Sequence, residues 1–241
     1  MSKPLVTCII TAYNGENYVS EAIQSVLDQD YCPKEIIVVN DGSIDNTANI
    51  LDSFGSKLRA IYQENQGAGA ARNTGVKASN GEYLAFLDHD DLWDAHKLTD
   101  QMDAIDQQAE RDPIIFTEVK QFICDRLIES EKQQLRVQQE TPMAGYLPST
   151  VLLSRRRFEQ IGFFQDKKQL GEFIEWYMRA LEKKIPAVMI EKVLTYRRVH
   201  LNNMGRNKEI YHRSSYLKIL QEGLARQRAL KQVSGECHEA T

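Results

Sequence analysis

Short apolar runs of strand length alternate with segments of helical period through the first 87 residues. Leu5 to Ile10 is largely apolar, and Tyr18, Val19, Ala22, Ile23, Val26 and Leu27 then recur at the spacing of one helical face. The pattern repeats with a strand over 35–39, a short helix over 45–54, a strand over 58–62, a helix over 67–78 and a strand over 83–87. Strand–helix–strand units of this kind close as right-handed crossovers. The expected class is α/β, with a mainly parallel central sheet flanked by helices on both faces.

Past Trp93 the rhythm changes. A polar helix to about Glu110 and a strand over 114–119 precede a polar stretch, Glu129 to Glu140, that has no apolar period and reads as a mobile loop or a solvated helix. A strand over 149–153, a helix over 172–182 and strands over 187–190 and 193–199 follow. From about Arg206 the sequence reads as helical and rich in Lys and Arg. At 241 residues, 42% of them hydrophobic, the chain suits one domain over 1–204, in halves 1–95 and 96–204, with a basic helical extension over 205–241. A formal charge of -4 gives no global attraction to nucleic acid. Cys8, Cys32, Cys124 and Cys237 lie far apart with no Cys-x-x-Cys spacing, which suits reduced thiols in a cytoplasmic protein. No apolar stretch approaches the roughly 20 residues that span a bilayer.

In an open parallel sheet, ligands bind beyond the carboxyl ends of the strands. Those ends carry Thr11-Ala12-Tyr13-Asn14, Asn40-Asp41-Gly42-Ser43, Glu64-Asn65-Gln66-Gly67 and Asp88-His89-Asp90-Asp91. Each by itself is equally well a turn or a helix N-cap, because Asn, Asp, Ser and Gly dominate both. The last cluster carries more weight: three carboxylates within four residues repel one another unless a cation or solvent separates them. Asp88 and Asp90 offer hard oxygen donors suited to Mg²⁺ or Mn²⁺ shared with substrate phosphates. Asp91, ahead of Leu92-Trp93, reads as a cap for the next helix. Only Gly15 follows the first strand, and no Gly-x-x-x-x-Gly-Lys-Ser/Thr loop is present, which disfavours a dinucleotide-binding domain and a P-loop NTPase. In Gly67-Ala68-Gly69-Ala70-Ala71-Arg72-Asn73 the small residues let a helix approach the sheet. Arg72 then either faces a phosphate or is a surface arginine.

Val6 through Asn14, Glu35 through Ser43, Gln66-Gly67 through Asn73, and Phe86 through Asp91 together resemble, in order and spacing, the family-2 glycosyltransferases of the GT-A nucleotide-binding fold. The resemblance covers about the first 95 residues. It implies that Thr11, Tyr13 and Asp41 hold the nucleoside, with Gln66, Arg72 and Asp88 also on the nucleotide. It further implies that Asp88 and Asp90 form the family's Asp-x-Asp metal motif, and that a sugar passes from a nucleotide donor, UDP by default, with inversion at the anomeric carbon.

The second half resembles the family less closely. Ile161 through Phe164 is similar to the segment before the family's catalytic helix, and Gly171 through Trp176 to that helix's start. Members carry Glu-Asp there, with the Asp as base, whereas this chain has Glu172-Phe173. Glu172 is the first candidate for the base and Glu175 the second, against a solvated helix position for Glu175. Tyr196 through Asn203 is similar to the family's late segment, which makes His200 a candidate metal or diphosphate contact.

The implied partners are a nucleotide-sugar donor and a carbohydrate or lipid-linked acceptor. The stretch over 129–149 is expected to border the acceptor site. The basic extension suits either an anionic membrane surface or packing and self-association as a homo-oligomer, the latter favoured. Two competing functions stay open: a catalytically silent nucleotide-sugar-binding module, kept alive by Phe173, and a nucleotidyltransferase, which lacks its basic, glycine-rich early loop here.

Overall fold

The computed structural model describes residues 2–132, 135, 141–165, 171–201 and 203. The basic extension expected over 205–241, and most of the stretch 133–140, lie outside the described residues. The first half runs β1 (Val6–Ala12), α1 (Val19–Leu27), β2 (Lys34–Asp41), α2 (Thr47–Ser53), β3 (Arg59–Gln63), α3 (Ala68–Ala78) and β4 (Tyr83–Asp88). The second runs β5 (Leu92–Trp93), α4 (Lys97–Asp106), β6 (Ile114–Ile123), α5 (Glu129–Lys132), β7 (Met143–Ala144), β8 (Leu152–Ser154), α6 (Arg155–Ile161), α7 (Glu172–Glu182) and β9 (Ala187–Val199).

One sheet unites them in the order β3-β2-β1-β4-β8-β6-β9-β5, with β7 on β6. The four strands of the first half are all parallel, as their crossovers require. The second half makes the sheet mixed: β8 joins β4 and β6 antiparallel, β9 runs parallel to β6, and β5 closes the far edge antiparallel.

Every residue of β1 is buried because the sheet is covered on both faces. Strand alternation divides its side chains: Cys8 and Ile10 join a core with α1 and α4, while Ile9 joins another with α6 and α7. Each fully buried Ile contributes roughly 1.5–3 kcal/mol. Close approach of α3 to the sheet depends on its small residues, since a Cβ on Gly75 would come within 2.4 Å of Ile9 Cγ2.

Several expected boundaries shift. Residues 187–199 form one strand rather than two, because a bulge between Ile190 and Val193 absorbs the polar pair Glu191-Lys192. Pro148–Thr150 is a 3₁₀ turn, so the strand expected over 149–153 begins at Leu152. Leu92-Trp93 starts a short strand instead of a helix, and Asp91 caps nothing. Its carboxylate accepts from Ser149 Oγ at 2.7 Å and from the Arg198 N–H at 3.3 Å. Helix α6 breaks no apolar rule but was hidden by its three arginines; Ser154 caps it by accepting from the Arg157 N–H.

Candidate active site

The carboxyl ends of β1, β2 and β4 lie side by side, with Thr11 opposite Asp88 and Ala12 opposite Asn40 in the pairing. Thr11 is buried, and its hydroxyl donates to Asp88 Oδ1 at 3.4 Å. Tyr13 is exposed at the rim, as is Gln66. Asp41 is buried and holds the turn after β3: Oδ1 accepts from Gln63 Nε2 at 2.7 Å and the Gln66 N–H at 2.9 Å, and Oδ2 from the Gly67 N–H at 2.8 Å. A carboxylate has about four acceptor sites, so one remains for a ligand. Gly42, at φ 76°, lies so close to the Asn65 backbone that a Cβ would sit 2.7 Å from its nitrogen.

Arg72 does not sit on the surface. It is buried on α3, with one terminal nitrogen 2.6 Å from Asp88 Oδ1 and the other 2.7 Å from Glu172 Oε1. Burial would lower the guanidinium's pKa, but the charges of Asp88 and Glu172 more than restore it and raise it above its ordinary value. This bridge ties the end of β4 to the first residue of α7, 84 positions further along the chain. Gly69 makes room for it: a Cβ there would meet Glu172 Cγ at 3.2 Å and the Gln165 carbonyl at 2.9 Å.

Asp90 has a separate set of partners. Its Oδ2 lies 3.1 Å from His200 Nε2 and accepts from Asn203 Nδ2 at 3.0 Å. Burial alone would raise its carboxyl, but the His200 hydrogen bond and the charges of His89 and His200 hold it at about 2. His200 is buried against the Tyr18 ring, centroids 4.7 Å apart. Arg198 is buried between the rings of Tyr18 and Phe122, donates to the Asp90 carbonyl at 3.2 Å and pairs with Glu21 at 2.5 Å. Asp91 is fully buried, and burial followed by the charges of Asp90 and Asp88 pushes its carboxyl well above the usual carboxylate range.

The crowding of three carboxylates is therefore already eased within the protein, by Arg72 for Asp88, by His200 and Asn203 for Asp90, and by the Ser149 hydroxyl and the Arg198 N–H for Asp91. Crowding alone does not demand a cation. The donor set still fits one: side-chain donors among the described residues reach only Oδ1 of Asp88 and only Oδ2 of Asp90. Each carboxylate keeps an oxygen free of such partners among the described residues, and the His200 imidazole lies beside Asp90. Among the described residues no three His, Cys, Asp or Glu side chains are gathered so as to hold a metal ion, so substrate oxygens would have to supply much of the coordination.

The two carboxylates at the start of α7 part company. Glu175 is buried rather than solvated and pairs with Arg179 at 3.0 Å. Arg179 in turn donates to the Ile161 and Phe163 carbonyls at the end of α6. Phe173 packs among Phe116, Phe164, Trp176 and Tyr177. Glu172 alone reaches the Asp88 side.

Ser149 and Asn203 carry site contacts without having been singled out for them. Ser149 Oγ accepts from the Asp88 N–H at 3.2 Å and donates to Asp91, while its carbonyl accepts from Trp93 Nε1 at 2.7 Å. Nothing in a lone serine before a strand signals this, whereas Asn203, three residues after His200, was legible as a local partner.

This arrangement is the mixed, curled α/β sheet of the GT-A glycosyltransferases. The fold matches S. aureus TarS 1-349 in complex with UDP-GlcNAc at a TM-score of 0.65 and 22% identity, over 82% of this chain and 59% of that one. The complex of the same TarS region with UDP matches at 0.65 and 21% identity, over 98% of this chain and 75% of that one. Residues 7–166 match the model of Glycosyl transferase family 2, and the chain belongs to that family. A Rickettsia typhi relative described as an uncharacterized glycosyltransferase is 47% identical over 113 residues, 47% of this chain and 36% of that protein. A Bacillus subtilis relative named for teichuronic acid biosynthesis, TuaG, is 40% identical over 105 residues, 42% of each. The chain thus spans well under half the length of these relatives. No helix among the described residues is long and apolar enough to cross a membrane.

Proposed function

We propose that the chain transfers a sugar from a nucleoside-diphosphate donor, UDP-linked in the first instance, to an acceptor hydroxyl with inversion and with help from a divalent metal. The observation that carries the reading is the Arg72 bridge, which couples the motif carboxylate Asp88 to Glu172 on the acceptor-side helix. The choice of UDP draws on the fold shared with a protein solved with UDP and UDP-GlcNAc, and inversion on the family resemblance. A carbohydrate or lipid-linked acceptor reached from the cytoplasmic side, at a membrane face or within a homo-oligomer, belongs to the same proposal.

Thr11, Tyr13, Asp41 and Gln66 would hold the nucleoside, the last acceptor site of Asp41 taking a donor from the base. Asp88, Asp90 and His200 would hold Mn²⁺ or Mg²⁺, which when bound supplies positive charge to the leaving diphosphate. The acceptor oxygen attacks the anomeric carbon, the bond to the diphosphate breaks with its electron pair, and Glu172 takes the hydroxyl proton. Arg72 fixes Glu172 through Oε1, which leaves Oε2 to receive that proton. Such base assistance is worth about 10²–10⁴-fold.

Calorimetric titration of UDP, GDP and dTDP, with and without Mn²⁺, into the wild type and Asp90→Ala tests the donor site. Metal-dependent UDP binding that the variant loses is expected; a folded protein that binds none of the three overturns the proposal. One observation favours a second reading, a silent nucleotide-sugar-binding module: Phe173 is sealed into an aromatic core where the family carries its base. Metal-dependent UDP binding without donor turnover would select that reading.

A further inference from the structure

Tyr146 is half exposed, at 52%, yet it is built in rather than loose. Its ring stacks on Tyr177 with centroids 5.7 Å apart and planes 24° from parallel, and meets Phe116 edge-on at 5.1 Å. Tyr177 is half-buried, lies nearly parallel to Phe173 and also meets Phe116. The segment carrying Tyr146 is pinned on both sides: the Gly145 N–H donates to the Thr117 carbonyl, and Thr150 Oγ1 donates to the Gly145 and Leu147 carbonyls. Gly145 has no room for a side chain, since a Cβ would come within 2.4 Å of the Thr117 carbonyl oxygen. The two tyrosines thus form a fixed aromatic ledge with one face of Tyr146 open.

Its position relative to the rest of the site is set by chain and sheet. Three residues on from Tyr146, Ser149 binds the Asp88 N–H. Tyr177 is on α7, which begins with Glu172. In the sheet, the proposed nucleoside residues lie on β1 and beyond β2, Asp88 ends β4, and the ledge is fixed to β6, two strands further in the same direction. The ledge is therefore on the far side of the leaving-group carboxylates from the nucleoside, where an acceptor must approach. Neither tyrosine hydroxyl bonds to another described residue. Aromatic faces edged by hydroxyls match a pyranose, which presents C–H bonds on one face and hydroxyls around its rim.

We infer that Tyr146 and Tyr177 form an acceptor subsite that stacks a pyranose ring of the acceptor against the open face of Tyr146. This rests on the transferase reading for its biological sense, but its physical content is separable. The test is saturation-transfer NMR of the full chain with UDP and Mn²⁺, using methyl glycosides of glucose, galactose, N-acetylglucosamine and rhamnose as probes. The wild type is compared with Tyr146→Ala and Tyr146→Phe, and UDP affinity is titrated for each.

At least one glycoside should take up saturation on its C–H face. Its binding should weaken about tenfold in Tyr146→Ala, and Tyr146→Phe should retain most of it, with UDP affinity unchanged in both. No transfer to any glycoside, or transfer indifferent to Tyr146→Ala, overturns the subsite. A fall in UDP affinity in Tyr146→Ala also overturns it, because the ledge would then stack the nucleobase. Failure of the wild type to bind UDP would strike the transferase reading alone, while the glycoside signal would still decide the subsite.

Discussion

The two halves of the sheet put their functional groups in place by different means. In the first half, Thr11, Asp41 and Asp88 sit at the carboxyl ends of their own strands, so parallel pairing brings them to one edge of the sheet. In the second, function depends on contacts between distant segments: Glu172 through Arg72, His200 through Asp90, Ser149 through Asp88. Strand-end groups tolerate local variation, whereas a bridged group is only as well placed as its partner. The departure at Phe173 falls in the half that is built by bridges.

The contrast is most exposed by Glu172→Gln, which keeps the Arg72 hydrogen bond but removes the basic oxygen. Turnover should fall by about 10²–10⁴-fold while UDP affinity holds, read by donor consumption and calorimetry. Equal turnover in the two proteins would remove Glu172 from the base role.

Arg72→Met should be nearly as severe, but in stability. It leaves Asp88 and Glu172 facing each other without a cation, at a cost of about 3–5 kcal/mol in denaturant unfolding. Mn²⁺ together with UDP should recover part of that loss if Asp88 is a metal ligand, whereas identical midpoints with and without them would speak against it.

Glu175→Gln weakens only the Arg179 pair inside the α6–α7 junction. A loss of about 1–2 kcal/mol with turnover within about threefold of wild type is expected. A collapse of turnover at retained stability would reverse the assignment of the two glutamates.

The last probe addresses the core beneath the site. Lys97 is fully buried, bonds Gln101 and lies 4.1 Å above the centre of the Trp93 ring; burial lowers its pKa from the ordinary 10.5 to about 7. Between about pH 7 and 10.5 the unfolded chain binds more protons than the folded one, so this lysine's penalty is full below pH 7 and fades as pH rises. Lys97→Met should therefore raise Tm more at pH 6 than at pH 10, and an equal shift at both would show that the lysine's charge is not what the fold opposes.

Periodicity and motif spacing sufficed for the parallel half. Apolar runs, small residues in α3 and polar strand ends are local signals, and the structure keeps Thr11, Asp41 and Asp88 where those signals put them. Elsewhere the local signal misled. Three carboxylates within four residues seemed to need a cation by repulsion alone, yet each has partners within the protein. Glu175 looked solvated from its helical position and is buried against Arg179. Arg72 could equally have been a surface group and is instead buried between Asp88 and Glu172.

By itself the sequence determined the α/β alternation and the set of polar groups at the ends of β1, β2, β3 and β4, because both depend on short-range patterns that a chain carries wherever it folds. Only the tertiary structure decided which carboxylate partners which cation, which glutamate of α7 faces Asp88, and that Tyr146 lies on Tyr177. Those depend on packing between residues tens of positions apart, where burial sets the charge state and geometry the partner, and no spacing along the chain encodes either.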